Sequence, residues 1–441
     1  MINRYIITAA EIGAEPNHRQ LDAYETYAKH WDAKIVVIPI EGQHKDGNLD
    51  PRFDSYLVAK EMPINKNVEI YDFCTKAQQI NPLTGLRRFG SVDKSILVGS
   101  TKQHLEHVAN SASHKPKAVM ATGACTLPQY KKNTRIGRIA EKDHTQGAIL
   151  LESENNKYFH FRQAQNILDG SFIDLGIKYT PNGKVIENAG TDTLILGDLH
   201  DAQKDIKDYK TSLEMIDSLQ PKVLVLHDVF DAYSVSHHDT GKQLLRAKKS
   251  NGGHLDLRNE LYNLGATLHE LTSHGRKDMK TYVVKSNHCE HLERYLDECR
   301  YTGDSMNLEL SVKLAHAMLQ GKDPIAEGVK LTYGSLPKNI KFLQRDDELK
   351  RYGWELAMHG DKGPNGSRGS IPSFEYSLGK AFVGHAHSAA IRKNVFRVGT
   401  LLKKDVDYAK GSPGSWTTTH GVIYPNGKGS LVNIYGGKWT A

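Results

Sequence analysis

No run in this 441-residue chain comes near the eighteen or so consecutive apolar residues that a membrane-spanning helix requires, so no bilayer role is expected. The first residues carry neither a long apolar core nor a small-residue cleavage site, and export is not expected either. Cysteine is scarce. The four present, Cys74, Cys125, Cys289 and Cys299, stand in no paired-ligand spacing and read as reduced thiols in a cytoplasmic setting. A glycine-rich phosphate loop ending in Gly-Lys-Ser/Thr is missing, which leaves nucleoside-triphosphate hydrolysis without support. Low-complexity linkers and internal repeats are missing too. What remains is ordinary for a globular protein with a substantial core: 39% apolar and 25% charged residues. Lys and Arg outnumber Asp and Glu by 58 to 51, a net charge of +7 that favours a polyanionic partner without establishing one. Histidine is plentiful at 22, and only those histidines that fall into a pattern count as ligand candidates.

The length favours two domains, with one large domain plus insertions as the alternative. Residues 5–10, 18–30 and 34–40 read as strand, helix and strand, a β-α-β unit with a parallel pair. Residues 41–66, broken by Gly42, Gly47, Pro51 and Pro63, read as loop. Further strands are expected at 95–98, 117–120, 148–151, 158–161 and 172–179, the last closing on a Pro181-Asn182-Gly183 turn. Together these make an α/β domain over 1–188, with an accessory role in DNA binding or assembly, and a second domain over 189–441. Within the first, Lys131, Lys132, Arg135 and Arg138 crowd one segment. They suit phosphate-backbone contact with Tyr130 stacking on a base, or else belong to a solvated, mobile loop. Cys125 is a weak nucleophile candidate against a buried, inert thiol.

From 193 onward, apolar runs alternate with polar turns and helices. The first run, at 193–196, stops at Gly197-Asp198-Leu199-His200. The second, at 221–226, stops at His227-Asp228-Val229-Phe230-Asp231. The third, at 281–285, stops at Ser286-Asn287-His288-Cys289-Glu290. Residues 354–358 lead into His359-Gly360-Asp361, and 380–383 into Gly384-His385-Ala386-His387. Carboxylate, imidazole and carboxamide are ligand types for a divalent cation. Parallel strands present their carboxyl ends to one crevice, and five successive ends bearing such groups are hard to explain as decoration. A phosphate ester needs such a set, because two cations about 3.5–4 Å apart clamp the attacking and leaving oxygens.

These motifs resemble the calcineurin-like metallophosphoesterase superfamily over residues 193 to about 400. That family runs Asp-x-His, Gly-Asp, Gly-Asn-His-Asp/Glu, a later His, then Gly-His-x-His. The resemblance implies a four-layer αββα sandwich preceded by the smaller α/β domain. It also implies two divalent metal ions, Mn2+ first, with Mg2+, Fe2+ and Zn2+ open. Asp198, His200 and His387 would hold one ion; Asn287, His359 and His385 the other; Asp228 would bridge, within a coordination shell of both His359 and His387. His288 would face the leaving-group oxygen as general acid. Three departures stand out: His227 and Ser286 replace glycines, and Cys289 replaces the acid after His288, with Glu290 one place later. The second half, with its 227–231 motif and a Tyr424-Pro425-Asn426-Gly427 hairpin, is also similar to phage DNA-transfer proteins of the T5 type, nucleases related to double-strand-break repair nucleases. For a phage-encoded chain the compartment would be the host cytoplasm.

Asp201, Asp231 and Asp361 are candidates to orient a ligating imidazole, or else helix caps and solvated acids. His237, His238 and His254 follow the bridging Asp within reach of a substrate or in a solvated loop. Residues 242–249, with Arg246 at their centre, would track a phosphate backbone or form a solvated helix face. The tail from 394 is expected to build a second sheet on the first. The leading expectation is a two-metal phosphodiesterase with DNA as substrate. A hydrolase of a small phosphoester or phosphoprotein, and a non-catalytic scaffold of the same fold, stay open. So does a homo-oligomer.

Overall fold

The structure is a computed structural model describing residues 2–42, 47–58, 61–73, 75–91, 93–111, 115–154, 156, 158–239, 241–406 and 409–441. Cys74 lies outside these; Cys125 and Cys289 are buried free thiols and Cys299 is an exposed one. Among the described residues no helix is long and apolar enough to cross a membrane. The fold is of the α/β class, with four sheets and the helices that cover them.

The expected β-α-β unit is present: strands Ile2–Glu11 and Ala33–Ile40 pair in parallel around helix His18–Trp31. Asn17 caps that helix by accepting from the Gln20 N–H, and Asp32 ends it in a left-handed turn. Strands Gly147–Glu154 and Tyr158–Gln165 complete a four-stranded sheet.

A six-stranded sheet carries the first three motifs. In order it runs Ile340–Phe342, Lys280–Val283, Val223–Leu226, Thr193–Ile195, Thr419–Ile423, Gly429–Asn433. The first four are parallel to one another, and the last two form an antiparallel hairpin beside Thr193–Ile195. Alternation along the strands splits their side chains between two cores. Leu194, Leu224 and Leu226 face helices Ile206–Leu219 and Leu257–Ser273. Ile195, Val223, Val225 and Leu431 face a ten-stranded sheet through Trp354, Phe382, Ile391 and Phe396. Burial on both faces is why 223–226 is an unbroken apolar run. Each such leucine contributes about 1.5–3 kcal/mol by leaving water.

The ten-stranded sheet runs from Met62–Asn65 through Val68–Tyr71, Ser95–Val98, Lys117–Gly123 and Ser100–Val108 to Ala390–Arg392, Val395–Arg397, Ala381–Val383, Trp354–Glu355 and Lys350–Arg351. Its seam is the register Ile391↔Leu105 and Arg392↔His104, so strands from both sides of residue 188 share one sheet. Helix Ile371–Ser377 packs Ile371 and Phe374 on its outer face, against Ala381, Val383, Ala390 and Val395.

Several local expectations change. Residues 172–179 form two short antiparallel strands, because Leu175 and Gly176 both take positive φ (47° and 84°) and fold the run back on itself. The basic segment is helical from Arg135, where Thr134 accepts from the Gly137 N–H. Within 41–66, Met62–Asn65 is an edge strand, the one place in a sheet where Pro63 costs no ladder bond. Ser100–Val108 was hidden by its polar composition, yet its first six residues are buried and Gln103 donates to the carbonyls of Thr122 and Ala148. The tail hairpin extends the first sheet rather than building a second, and only Val395–Arg397 joins the larger one.

Candidate metal centre

Each motif sits where a buried strand stops. Thr193–Ile195 delivers Asp198 and His200, Val223–Leu226 delivers His227 and Asp228, and Lys280–Val283 delivers Asn287 and His288. The strands Trp354–Glu355 and Ala381–Val383, parallel neighbours in the ten-stranded sheet, deliver His359, His385 and His387. The loops are stitched by backbone bonds: the Leu199 and His200 N–H groups donate to the His227 and Asp228 carbonyls at 3.0 and 2.8 Å. The Asp198 N–H donates to Gly399 at 3.0 Å. Two sheets, not one, therefore converge on the crevice.

The backbone there is bent into a rare shape. His200, Asp228, His385 and His387 all have positive φ (48°, 47°, 74° and 58°), the left-handed region that non-glycine residues seldom enter. Such angles cost roughly 1–3 kcal/mol each and persist where the surroundings over-determine them, typically at functional sites. The departures from glycine follow from this. The left-handed turn falls on Asp228 itself, not on His227, while Ser286 is extended (φ −120°, ψ 170°) and caps helix Asn287–Asp297. Neither position needs glycine. Gly384 does: a Cβ there would overlap the Asp198 carboxylate.

The side chains meet in a buried cluster. His200 Nε2 lies 3.0 Å from His387 Nε2 and 3.5 Å from Asp228 Oδ2, and His387 Nε2 lies 3.3 Å from Asp198 Oδ2. On the other side of Asp228, His359 Nε2 lies 3.3 Å from the same Oδ2. His359 Nδ1 is 3.4 Å from His227 Nδ1, and His385 Nδ1 is 3.1 Å from the Asn287 carboxamide oxygen. Asp198, His200, Asp228 and His387 thus form one group able to hold a metal ion, and Asp198, His227 and His359 a second. His227 was overlooked as a ligand candidate, although its place beside Asp228 at a strand end was the available signal.

Electrostatics test whether a cation fits. Asp198 Oδ1, Asp228 Oδ1, His227 Nε2 and His359 Nε2 are buried without a hydrogen-bond partner. Burial pushes Asp198 up to about 7. Burial opposes charge on Asp228 too, but His288, His359 and His200 hold it well below the usual carboxylate range. Burial alone would lower His200, yet the Asp228, Asp231 and Asp198 carboxylates outweigh it and raise it to about 9; His359 is raised in the same way. His385 and His387 are lowered by burial and by neighbouring imidazoles. Orphaned lone pairs and charges held only by mutual pairing are what a divalent cation would satisfy, so the donor set fits.

No family model matches the chain. It is 28% identical over 468 aligned positions to Protein A1 of Escherichia phage T5, covering 99% of this chain and 83% of that protein. One solved structure aligns with 55% of this chain and 98% of its own length at 12% identity, with a TM-score of 0.28 that carries no argument. The chain thus has a phage relative along nearly its whole length.

The supporting acids separate cleanly. Asp231 accepts from His200 Nδ1 at 2.8 Å and from the Ala202 N–H at 2.8 Å, fixing the ring so that Nε2 faces the cluster. Asp201 is engaged by Lys204 and Thr267, and Asp361 is held by Arg345 in two bonds of 2.8 Å. Glu290 pairs with Arg345 and Lys362. Asp231→Asn is therefore expected to weaken metal binding by about 10–100-fold while leaving the fold intact; calorimetric titration with Mn2+ checks it, and an unchanged affinity would exclude the orienting role.

His288 lies at the cluster's edge, its ring 4.9 Å from His200, and its Nδ1 lies 3.2 Å from the Asp231 carbonyl. A carbonyl only accepts, so Nδ1 carries a proton and Nε2 is the end left for substrate. The expected phosphate contacts lie elsewhere. Lys131 borders a separate hollow with Thr134, Lys76 and Gln78; Lys132 pairs with Glu141; Arg138 donates to the Lys132 carbonyl. Neither Arg135 nor these three lines a cavity that opens on the cluster. Tyr130 is buried with its hydroxyl 2.8 Å from His144 Nδ1, so it cannot stack on a base. Burial pushes the Cys125 thiol up to about 12, against a nucleophilic role. Around helix Gln243–Asn251 it is its cap residue Lys242 and Lys249 within it, rather than Arg246, that line a cavity with His288.

Proposed function

We propose that this protein is a two-metal phosphodiesterase that cuts DNA, built on the αββα sandwich of the metallophosphoesterases. The observation that carries it is Asp228 Oδ2, which stands 3.5 Å from His200 and 3.3 Å from His359, a carboxylate between histidines of the two groups, with Asp198 common to both. The stacking of helices, six-stranded sheet, ten-stranded sheet and outer helix supports the sandwich. Asp198, His200, His387 and Asp228 would hold one ion; Asp228, His359, His385 and Asn287 the other, with His227 beside them. When bound, the ions would supply charge for the phosphoryl oxygens and acidify a water.

The chain's own residues do the rest. His288 Nε2 would face the departing oxygen as general acid or transition-state stabiliser, with the Nδ1 bond to the Asp231 carbonyl setting the ring's angle. Burial of the cluster excludes bulk water and strengthens each charge interaction. Two cavities of about 720 and 660 Å³ flank the cluster, one reached by His385 and the other by His200, Asn287 and His288. Arg87, Arg368, Arg392 and Arg397 line the first, Lys242 and Lys249 the second. Asp231 and Asp239 balance the two lysines of the second cavity, while the four arginines of the first, two of them paired with Glu106 and Glu375, leave a basic lining that suits a polyanion. Manganese, plasmid DNA and a generic aryl phosphodiester make the test, with chelator as control. DNA cleavage that chelator stops supports the reading; aryl hydrolysis alone favours a small-phosphoester enzyme; neither activity in metal-loaded protein favours a scaffold. In the same assay, His288→Asn is expected to lower kcat by about 10²-fold or more with unchanged metal content.

A further inference from the structure

Three more histidines converge outside the ligand set. His237 and His238 stand in the loop after Asp231, and His291 follows His288 by three positions on helix Asn287–Asp297, on the same face. A ring nitrogen of each lies within 4.8 Å of the other two. The ring centroids are 3.8, 4.8 and 5.5 Å apart, and the His291 ring is 4.9 Å from that of His288. His237 Nδ1 is buried without a hydrogen-bond partner. Burial, then His288, His237 and His238, push His291 down to about 3, and burial also lowers His237. Both rings are therefore neutral at pH 7, each with a lone pair to give. No carboxylate belongs to the group, so ion pairing does not explain why the imidazoles gather.

We infer that His237, His238 and His291 form a separate tri-histidine site for a borderline divalent cation such as Zn2+. Zinc takes imidazole nitrogens at about 2.0–2.1 Å, so its ligands sit about 3.4 Å apart and these rings need to close by only about an ångström. Three nitrogens and an open fourth position are the pattern of zinc sites that bind a water or substrate oxygen. His238 and His291 line one cavity together with His288. A cation there would draw a phosphate oxygen toward His288, whose ring lies 4.9 Å from both His291 and His200. Arg294 lies 3.5 Å from His237 Nε2, is exposed and can swing away, and the Arg300 charge also bears on His237.

The test uses full-length protein stripped with chelator, reloaded with Zn2+ alone, desalted and assayed for zinc per chain. His238 is exposed, so His238→Ala should leave the fold intact; His291→Asn is the second variant. Both are expected to retain one zinc fewer than the wild type. The same loss of one equivalent is expected when His238→Ala is added to Asp228→Asn, which separates this site from the buried cluster. Equal zinc content in wild type and both variants overturns the proposal, whatever the protein does to DNA. Loss of one equivalent in a protein that cleaves no phosphodiester upholds it and sinks the hydrolase reading instead.

Discussion

Asp228→Asn is expected to lower phosphodiester hydrolysis by at least about 10²–10³-fold, the loss that follows removal of a single well-placed electrostatic group, and to strip metal from the buried cluster. The substitution keeps shape and backbone. Asn enters the left-handed region that Asp228 occupies (φ 47°) more readily than most residues, and the Asp228 carbonyl that accepts the His200 N–H is untouched. What goes is the negative charge that stands 3.5 Å from His200 and 3.3 Å from His359. In wild type, Mn2+ at 100 times its dissociation constant should stabilise the fold by about 2.7 kcal/mol; in the variant the gain should vanish. Elemental analysis and melting with and without Mn2+ read both effects. A variant that keeps its manganese and its turnover would remove the Asp228 carboxylate from the mechanism.

A steep loss of stability between pH 6.5 and 5 is the second large effect, and it arises outside the metal cluster. Burial lowers His104 and His420 to about 3, and His107, His144 and His160 to about 4. His420 shows why. Its Nδ1 accepts from the Gly197 N–H at 2.9 Å, just before Asp198, and its Nε2 meets Ser212 Oγ at 2.8 Å, so the ring must be neutral. The sign follows from linkage. The folded pKa values are depressed, so stability is whole above the unfolded value near 6.5 and falls as the unfolded chain takes up protons that the folded one refuses. His227 and His291, both pushed to about 3, act in the same direction. Asp198 and Glu260, raised by burial to about 7, roughly offset those two. Five histidines remain. At pH 5 each costs about 2 kcal/mol, and together they rival the 5–15 kcal/mol that holds a typical domain folded. Denaturant titrations of metal-free protein at pH 7.5, 6.5, 5.5 and 5 should show the decline; a level profile would mean these rings are hydrated.

The strand ends were readable because their chemistry is local. An apolar run of four, a sharp stop and a ligand-type residue can be recognised within ten positions, and Asp198, Asp228 and His387 needed nothing more. Asp231 was open between an orienting group and a solvated acid until the His200 ring settled against it. The basic segment after Tyr130 misled in the other direction: its charge is real, but charge does not say which surface faces a cluster that begins only at Asp198. Ser100–Val108 was unreadable for a related reason, since its polar side chains are satisfied by carbonyls on other strands.

By itself, then, the sequence determined that a series of ligand-type residues stands at the ends of buried strands, because hydrophobic period and turn chemistry act over a few neighbours. Only the tertiary structure decided that these side chains come from two sheets and meet around Asp198 and Asp228, that strands on either side of residue 188 join at Ile391↔Leu105, and that His237, His238 and His291 gather beside them. Those are outcomes of long-range pairing and packing, and no short window of residues carries the free energy that selects them.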